Sequence, residues 1–246
     1  MSRKPSVQLY SVRDAVQQDL SAAVARLAEI GLTQVEPYAF HTRTAEFKAA
    51  FAAAGVSAPS GHAAVIDAEN PREVFEAANE LGITTVIDPF VPADRWRTAD
   101  DAAKIADRVN ELSVLAHEYV LDFGYHNHHW ELENTVDGRP VLELFVERLA
   151  PGVVLEIDTF WATVGGADTP ALLESLGERV KFLHVKDGAK STDTSLQQPA
   201  GQGQIDVPAI LAAAPQALRV IEFDAYSGDV FDGIAASLAW LQENDA

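Results

Sequence analysis

One pattern occurs four times in the second half of the chain: a short apolar run ends in two polar side chains spaced i, i+2. The pairs are His126 with His128, Glu156 with Asp158, His184 with Lys186, and Glu222 with Asp224. Side chains two apart on a strand share one face of the sheet. A closed barrel gathers the ends of successive strands around one axis, so the pattern favours a barrel with a single convergent site.

Short β-rich apolar runs alternate with longer Ala- and Leu-rich stretches of helical period along the chain. The eight strand candidates begin at Ser6, Thr33, Val56, Thr84, Tyr119, Val153, Val180 and Leu218. Gly31, Gly55 and Gly82 each follow a helical stretch, where glycine commonly ends a helix. Eight βα units of roughly 30 residues predict an α/β fold of the (β/α)8 TIM barrel type. We expect residues 1–246 to form this barrel as a single domain.

A doubly wound open sheet is the competing fold. Proteins with such a sheet bind their ligand near one topological switch point, and those that bind dinucleotides carry a glycine-rich turn after the first strand. Here LYSVRD follows the first strand candidate, and neither G-x-G-x-x-G nor a P-loop motif occurs in the sequence. The barrel is the better prediction, because polar residues end several strands rather than one.

Composition limits the chemistry and the partners. Since the sequence has no cysteine, any metal must be held by oxygen and imidazole ligands. The formal charge of −19 opposes the phosphate backbone, so nucleic acid is not an expected partner. No apolar run approaches the roughly 20 residues that span a bilayer, and no signal segment is recognisable, which predicts a cytoplasmic protein without a membrane partner. Homo-oligomerisation is left open.

Three successive strand candidates close with a metal-binding residue type. Asp158, His184 and Glu222 offer two carboxylates and one imidazole. This donor set suits one divalent ion such as Mn²⁺, Zn²⁺, Co²⁺ or Mg²⁺, and His126 would add a fourth ligand from the preceding strand. The alternative is a polar pocket that holds no ion, because strand-end histidines also serve as hydrogen-bonding groups.

A glutamate and a lysine are candidates for catalysis. Glu36 ends TQVEPY between Val35 and Pro37, where partial shielding from water favours acid or base work, although packing alone would also explain it. Lys186 follows His184 by two residues and would place a cation beside the metal. There it would stabilise the negative charge of an enediolate.

Four further residues are candidates for substrate binding. His62 ends VSAPSGH. His128 lies two residues after His126 and is expected on the same face of the strand, whereas His129 would face the other side. Trp161 offers a flat apolar wall for a sugar ring, with a plain core role equally open. Tyr10 follows the first strand candidate and is expected near the mouth of the pocket.

The motifs YHNH, EIDTFW followed by VGGADTP, and HVKDG occur in this order. With them the chain resembles the sugar phosphate isomerase/epimerase group of xylose isomerase-like barrels, which includes tagatose epimerases, inosose dehydratases and hydroxypyruvate isomerases. The resemblance extends from VQLYSVRD to VIEFD, nearly the whole chain.

The resemblance implies one divalent metal held by His126, Asp158, His184 and Glu222. It also implies proton removal next to the carbonyl of a small carbohydrate, with Glu222 or Glu36 as the base and isomerisation, epimerisation or dehydration as the outcome. In the epimerases the ligand on the fifth strand is a glutamate that also acts as a base. This chain has His126 there, which departs from a two-carboxylate mechanism.

Two other functions are weighed against this enzyme. A non-catalytic or regulatory sugar-binding barrel is compatible with the exchanged ligand on the fifth strand, while the remaining site residues stand in register and favour catalysis. A nuclease similar to endonuclease IV would need several metals and a basic surface, and 18 basic residues against 37 acidic ones argue against it.

Overall fold

A computed structural model describes residues 4–245 of the chain. The strands are β1 Ser6–Val7, β2 Ser60–His62, β3 Thr85–Asp88, β4 Asp122–His126, β5 Thr135–Val136, β6 Arg139–Pro140, β7 Val154–Asp158, β8 Val180–Val185, β9 Asp187–Gly188, β10 Gln197–Gln198 and β11 Leu218–Ile221. The helices are α1 Arg13–Gln18, α2 Leu20–Ile30, α3 Thr44–Ala54, α4 Pro71–Leu81, α5 Ala99–His117, α6 Trp130–Glu133, α7 Val141–Arg148, α8 Thr159–Val164, α9 Thr169–Leu176, α10 Val207–Ala213 and α11 Val230–Asn244. Seven strands form one parallel sheet in the order β1-β11-β8-β7-β4-β3-β2.

The segment 34–38 closes this sheet into a barrel between β1 and β2. The Leu9 N–H donates to Glu36 O at 2.9 Å, and the Glu36 N–H donates to Val7 O at 2.8 Å. On the other side, the His62 N–H donates to Pro37 O at 2.8 Å. Because Pro37 has no N–H to donate, the segment pairs only through isolated bridges. The strand predicted to begin at Thr33 is therefore present as a closing segment, and the predicted (β/α)8 barrel is confirmed.

Local sequence signals place the helix ends. Gly31, Gly55 and Gly82 end α2, α3 and α4 with φ of 110°, 67° and 73°, the left-handed region that favours glycine. The Asp168 carboxylate accepts from Ala171 N–H at the start of α9. An Asp, Ser or Thr in this position satisfies one of the unpaired amides in the first helical turn. The helix ends predicted at Gly31, Gly55 and Gly82 are confirmed.

The barrel interior is polar at the C-terminal ends of the strands and apolar in the layer beneath them. A small cluster, separate from the main core, consists of Ile87, Val154, Phe182 and Val220. Glu156, His184 and Glu222 stand two residues further along three of the same strands, so they project to the same face one layer higher. The strands thus carry buried polar side chains directly above an apolar layer. No helix within residues 4–245 has the length and apolarity to cross a bilayer.

Candidate metal centre and the cavity above it

Four side chains at the C-terminal ends of the barrel strands form one buried cluster. Ligand atoms of His126, Asp158, His184 and Glu222 all lie within 4.8 Å of one another. The parallel register sets Asp158 of β7 beside His184 of β8, and Glu222 directly follows β11. The structure thus brings together the four residues that the sequence predicted as metal ligands.

The two histidines of this cluster contact carboxylates through both edges of their rings. His126 Nδ1 lies 3.1 Å from Glu156 Oε2, while its Nε2 lies 3.6 Å from Asp158 Oδ2. His184 Nε2 lies 3.1 Å from the same Glu156 oxygen, while its Nδ1 lies 2.6 Å from Glu222 Oε2. Each ring therefore connects a lower carboxylate with one at the strand ends.

Lys186 contributes a buried ammonium group. Its Nζ lies 2.8 Å from Asp158 Oδ2, 2.6 Å from Glu222 Oε2 and 2.9 Å from Asp224 Oδ2. The side chain also lies over Trp161, with Nζ 5.7 Å from the ring centroid. A metal ion that bound the Asp158 and Glu222 oxygens would share them with this cation.

Burial and charge act in opposite directions on these groups. Burial acts to raise the pKa of Glu222, but Lys186 and His184 together hold it well below the ordinary glutamate value. Burial acts to lower the pKa of His184, but Glu156 and Glu222 hold it well above the ordinary histidine value. The cluster thus has an excess of negative charge that attracts cations.

This donor set fits a divalent metal ion. A carboxylate oxygen only accepts hydrogen bonds, so His184, with a carboxylate at each ring nitrogen, must either carry a second proton or bind a cation between Nδ1 and Glu222. Two imidazoles and two carboxylates suit Mn²⁺, Zn²⁺ or Co²⁺. Glu156, whose buried Oε1 has no hydrogen-bond partner among the described residues, belongs to an overlapping group with His62, His126 and His184 whose ligand atoms also lie within 4.8 Å of one another. His126, Asp158, His184 and Glu222 would hold the ion.

A cavity of about 540 Å³ lies above the cluster. Its lining includes the polar residues His62, His126, His128, Lys186, Glu222 and Asp224, and the apolar or aromatic residues Tyr10, Tyr38, Ala63, Pro89 and Phe90. The volume is in the range of small-molecule sites, which combine apolar walls with a few convergent polar groups. The cavity is therefore large enough for a small organic substrate in contact with the metal candidates.

Three of the four predicted substrate-binding residues line this cavity. They are Tyr10, His62 and His128. His128 stacks on Trp130 with ring centroids 4.3 Å apart, and its Nδ1 has no hydrogen-bond partner among residues 4–245. Trp161 is instead buried among core residues beneath Lys186 and does not line the cavity. Its flat ring packs in the core, which was the other interpretation of the sequence.

The residues that follow the YHNH motif have different surroundings. His129 lies outside the cavity lining, and its Nδ1 is 3.1 Å from Glu133; because β4 ends at His126, the alternation of strand faces does not extend to this residue. Glu131 is fully buried, accepts from the Tyr125 hydroxyl at 2.7 Å and accepts from the His128 N–H at 2.9 Å. Burial raises the pKa of Glu131 to about 8. Glu131 thus anchors the backbone from which His128 extends.

Glu36, a candidate base in the sequence, lies beneath the histidines and does not line the cavity. Its Oε1 accepts from Gln8 Nε2 at 2.8 Å and lies 2.8 Å from His184 Nε2, and its Oε2 accepts from the Ser60 hydroxyl. With these partners, Glu36 supports His184 instead of facing a substrate. Sequence analysis did not identify Ser60, whose only signal was its position two residues before His62 on one strand.

Asp187 fixes the loop that follows Lys186. Its Oδ1 accepts from the N–H groups of Gly188 and Ile205 at 2.7 and 3.0 Å, and its Oδ2 accepts from the Gly203 N–H at 2.9 Å. Three backbone donors thus converge on one carboxylate that is 1% exposed. The loop of residues 188–205 is held against the barrel rim by this side chain.

Comparison with known proteins gives one family and many similar folds. A family model described as a xylose isomerase-like TIM barrel matches residues 24–243. No curated protein sequence matches the chain significantly. A sugar phosphate isomerase/epimerase from Parabacteroides distasonis ATCC 8503 is 24% identical, with a TM-score of 0.82 over 98% of this chain and 94% of that one.

Two further solved structures are similar at lower identity. The IolI protein with a bound zinc atom is 15% identical, with a TM-score of 0.76 over 98% of both chains. A D-allulose 3-epimerase from Methylomonas sp. is 14% identical, with a TM-score of 0.72 over 99% of both chains. At these identities the similarity establishes the fold.

Proposed function

The chain belongs to the xylose isomerase-like TIM barrel family, and from this premise we propose that it is a divalent-metal-dependent enzyme that removes a proton next to a carbonyl. Its substrate is a sugar, a keto-sugar or a cyclitol. The product is an isomer, an epimer or a dehydrated compound, because all three reactions begin with the same enolisation.

The convergence of four ligand-type side chains below a cavity carries this proposal. Ligand atoms from four strand ends lie within 4.8 Å of one another. His126 and Glu222 line the cavity, and His184 contacts Glu222. In TIM barrels the C-terminal ends of the strands form the active site. A carbon acid needs a stabilised oxyanion and a positioned base at one place, and this end of the barrel offers both.

The chain's own residues divide the work as follows. Bound by His126, Asp158, His184 and Glu222, the metal would supply a Lewis acid that polarises the carbonyl. Glu222 takes the proton, because it is a carboxylate of the cavity lining and Lys186 keeps it ionised. Lys186 counters negative charge that develops beside it.

The cavity lining selects the substrate. His62 and His128 offer ring nitrogens to hydroxyl groups, and the buried Nδ1 of His128 is without a protein partner in the described chain. Tyr10 and Phe90, which are 44% and 49% exposed, form an aromatic mouth that suits the C–H faces of a sugar ring. The substrate is therefore a polyhydroxy compound that binds with its polar edge down.

Metal analysis tests the first half of the proposal. We expect the purified protein to bind one divalent ion per chain and Asp158→Ala to lose it while keeping the far-UV circular dichroism of the native fold. Glu147→Gln, on the exposed face of α7, is the matched control and should bind as the native chain does. Full metal occupancy in Asp158→Ala would contradict the ligand assignment.

Solvent deuterium uptake tests the second half. Keto-sugars and inososes are incubated with the metal-loaded protein in D₂O, and exchange of the proton next to the carbonyl is followed by NMR. We expect exchange with at least one compound, its loss in Glu222→Gln, and its retention in the Glu147→Gln control. If Glu222→Gln exchanges normally while Glu36→Gln does not, Glu36 is the base.

A sugar-binding protein without activity would give a different result. It would bind a compound of the panel, detected by a raised melting temperature, and would exchange no proton. That outcome would refute the proposed enzymatic function and leave the metal centre as a binding device.

A further inference from the structure

One carboxylate oxygen lies at the centre of three histidines. Glu156 Oε2 is 2.5 Å from His62 Nε2, 3.1 Å from His126 Nδ1 and 3.1 Å from His184 Nε2. Glu156 is 0% exposed, so water does not compete for this oxygen. Because the oxygen can only accept, each nitrogen that forms a hydrogen bond with it must carry the proton.

The position of Glu156 along its strand explains why it lies beneath the metal candidates. Glu156 and Asp158 are two residues apart on β7 and project into the barrel one above the other. Asp158 therefore faces the upper edge of the His126 ring, and Glu156 meets the lower edges of both the His126 and the His184 rings. His126 turns Nε2 toward Asp158, and His184 turns Nδ1 toward Glu222.

We propose that Glu156 is a shared positioning residue that fixes the ring orientation and tautomer of both metal-binding histidines. By accepting from His126 Nδ1–H and His184 Nε2–H, it leaves the lone pairs of His126 Nε2 and His184 Nδ1 for the ion. This inference rests on the metal centre of the proposed function. A carboxylate that orients a metal-binding histidine also raises the basicity of that ligand.

Glu36 provides an internal comparison. Its Oε1 lies 2.8 Å from His184 Nε2, and no hydrogen bond or ion pair joins Glu36 to His126. Removing the Glu36 charge should thus disturb the orientation of one metal-binding histidine, His184, whereas removing the Glu156 charge should disturb both His184 and His126. The two glutamates differ in this respect although both are fully buried.

Side-chain NMR of the wild-type protein tests the tautomers directly. In the Zn²⁺-loaded, ¹⁵N-labelled chain, two-bond ¹⁵N–¹H correlations distinguish the protonated from the metal-bound nitrogen of each ring. We expect His126 to be protonated at Nδ1 and bound through Nε2, and His184 to be protonated at Nε2 and bound through Nδ1. Metal binding through His126 Nδ1 would overturn the inference without affecting the proposed function.

Metal affinity tests the energetic role. Glu156→Gln should raise the dissociation constant for Co²⁺ or Zn²⁺ about 10- to 100-fold, the usual range for lost supporting carboxylates, and should alter the Co²⁺ absorption spectrum. Asp88→Asn, a change at a buried carboxylate outside the cluster, is the control and should bind metal as the native chain does. Glu36→Gln should shift the His184 signals and leave those of His126 in place.

Other outcomes of these experiments also decide the role of Glu156. Native affinity and spectrum in Glu156→Gln would overturn the positioning role while the metal centre stands. Two ions per wild-type chain, with one lost in Glu156→Gln, would overturn it by making Glu156 a ligand of a second site. If the wild-type chain binds no divalent metal, both the proposed function and this inference fail. Should Glu156→Gln not fold, the tautomers in the wild-type protein decide.

Discussion

Replacing Asp187 tests how strongly the loop after β8 is tied to the barrel. Asp187→Ala removes the acceptor of three backbone N–H groups, of which those of Gly188 and Ile205 are buried. A buried donor left unpaired costs about 1–3 kcal/mol, and the Gly203 donor is near enough to the surface to bond water instead. We expect the free energy of unfolding to fall by about 4 kcal/mol, from two donors at about 2 kcal/mol each.

A graded series makes this prediction specific. In Asp187→Asn the amide oxygen keeps both buried donors and its NH₂ group faces only the Gly203 N–H, so we expect a loss of about 1–2 kcal/mol. Asp206→Ala removes a single exposed helix cap, the bond to the Ala209 N–H, and should cost about 1 kcal/mol.

Urea unfolding followed by tryptophan fluorescence measures the series in metal-free protein. In thermal unfolding, the loss of about 4 kcal/mol expected for Asp187→Ala corresponds to a melting temperature lowered by about 8–16 °C in a chain of this size. Equal stabilities for Asp187→Ala and Asp206→Ala would refute the assignment of two buried, charge-assisted bonds to Asp187.

Four further predictions follow from the structure. Gly124→Ala should lower the melting temperature markedly, because a Cβ there would lie 2.6 Å from Val154 O and 2.9 Å from Ile87 Cδ1; a native melting curve would contradict this. Burial raises the pKa of Asp88 to about 6, above its unfolded value, so the stability gained from its proton is present below about pH 4 and is lost as the pH rises through 6. Urea midpoints should show the native chain losing about 2–3 kcal/mol relative to Asp88→Asn between pH 4 and pH 7, and parallel profiles would refute it. Lys186→Met should lower turnover much more than metal affinity, and equal losses would contradict its proposed role. Fluorescence anisotropy should detect no binding to abasic-site DNA at physiological salt, because the net charge of −19 opposes it.

The alternation of strand faces was enough to predict which strand-end side chains lie close together. It identified His126, Asp158, His184 and Glu222 as neighbours, because side chains at equivalent strand ends must converge once the sheet closes. It does not apply to His128 and His129, because β4 ends at His126. The same rule placed Glu156 beneath Asp158, but the sequence does not show which ring nitrogens it would meet.

Other features depend on geometry that periodicity does not encode. Glu36 ends a strand segment as predicted, yet the depth of its position, which decides between base and support, follows from its contacts with Gln8 and Ser60. Phe90 lies in a loop after β3, and nothing in its local sequence indicates that it reaches the cavity mouth. Trp161 satisfied both a core and a cavity interpretation, and only tertiary packing distinguishes them.

The backbone pairing that closes the barrel at residues 34–38 is sparser than the pairing between its other strands. Elsewhere neighbouring strands are joined by ladders, of which the one between β7 and β8 has a register shift, whereas here isolated bridges around Pro37 complete the ring. Local openings of a folded chain occur where backbone bonding is sparse, so amides of this segment should exchange with solvent before those of β7 and β8. Since Glu36 belongs to the segment, each opening would withdraw a carboxylate from His184. The time for which segment 34–38 stays closed thus sets how long His184 keeps its contact with Glu36, while its contact with Glu156 of β7 remains.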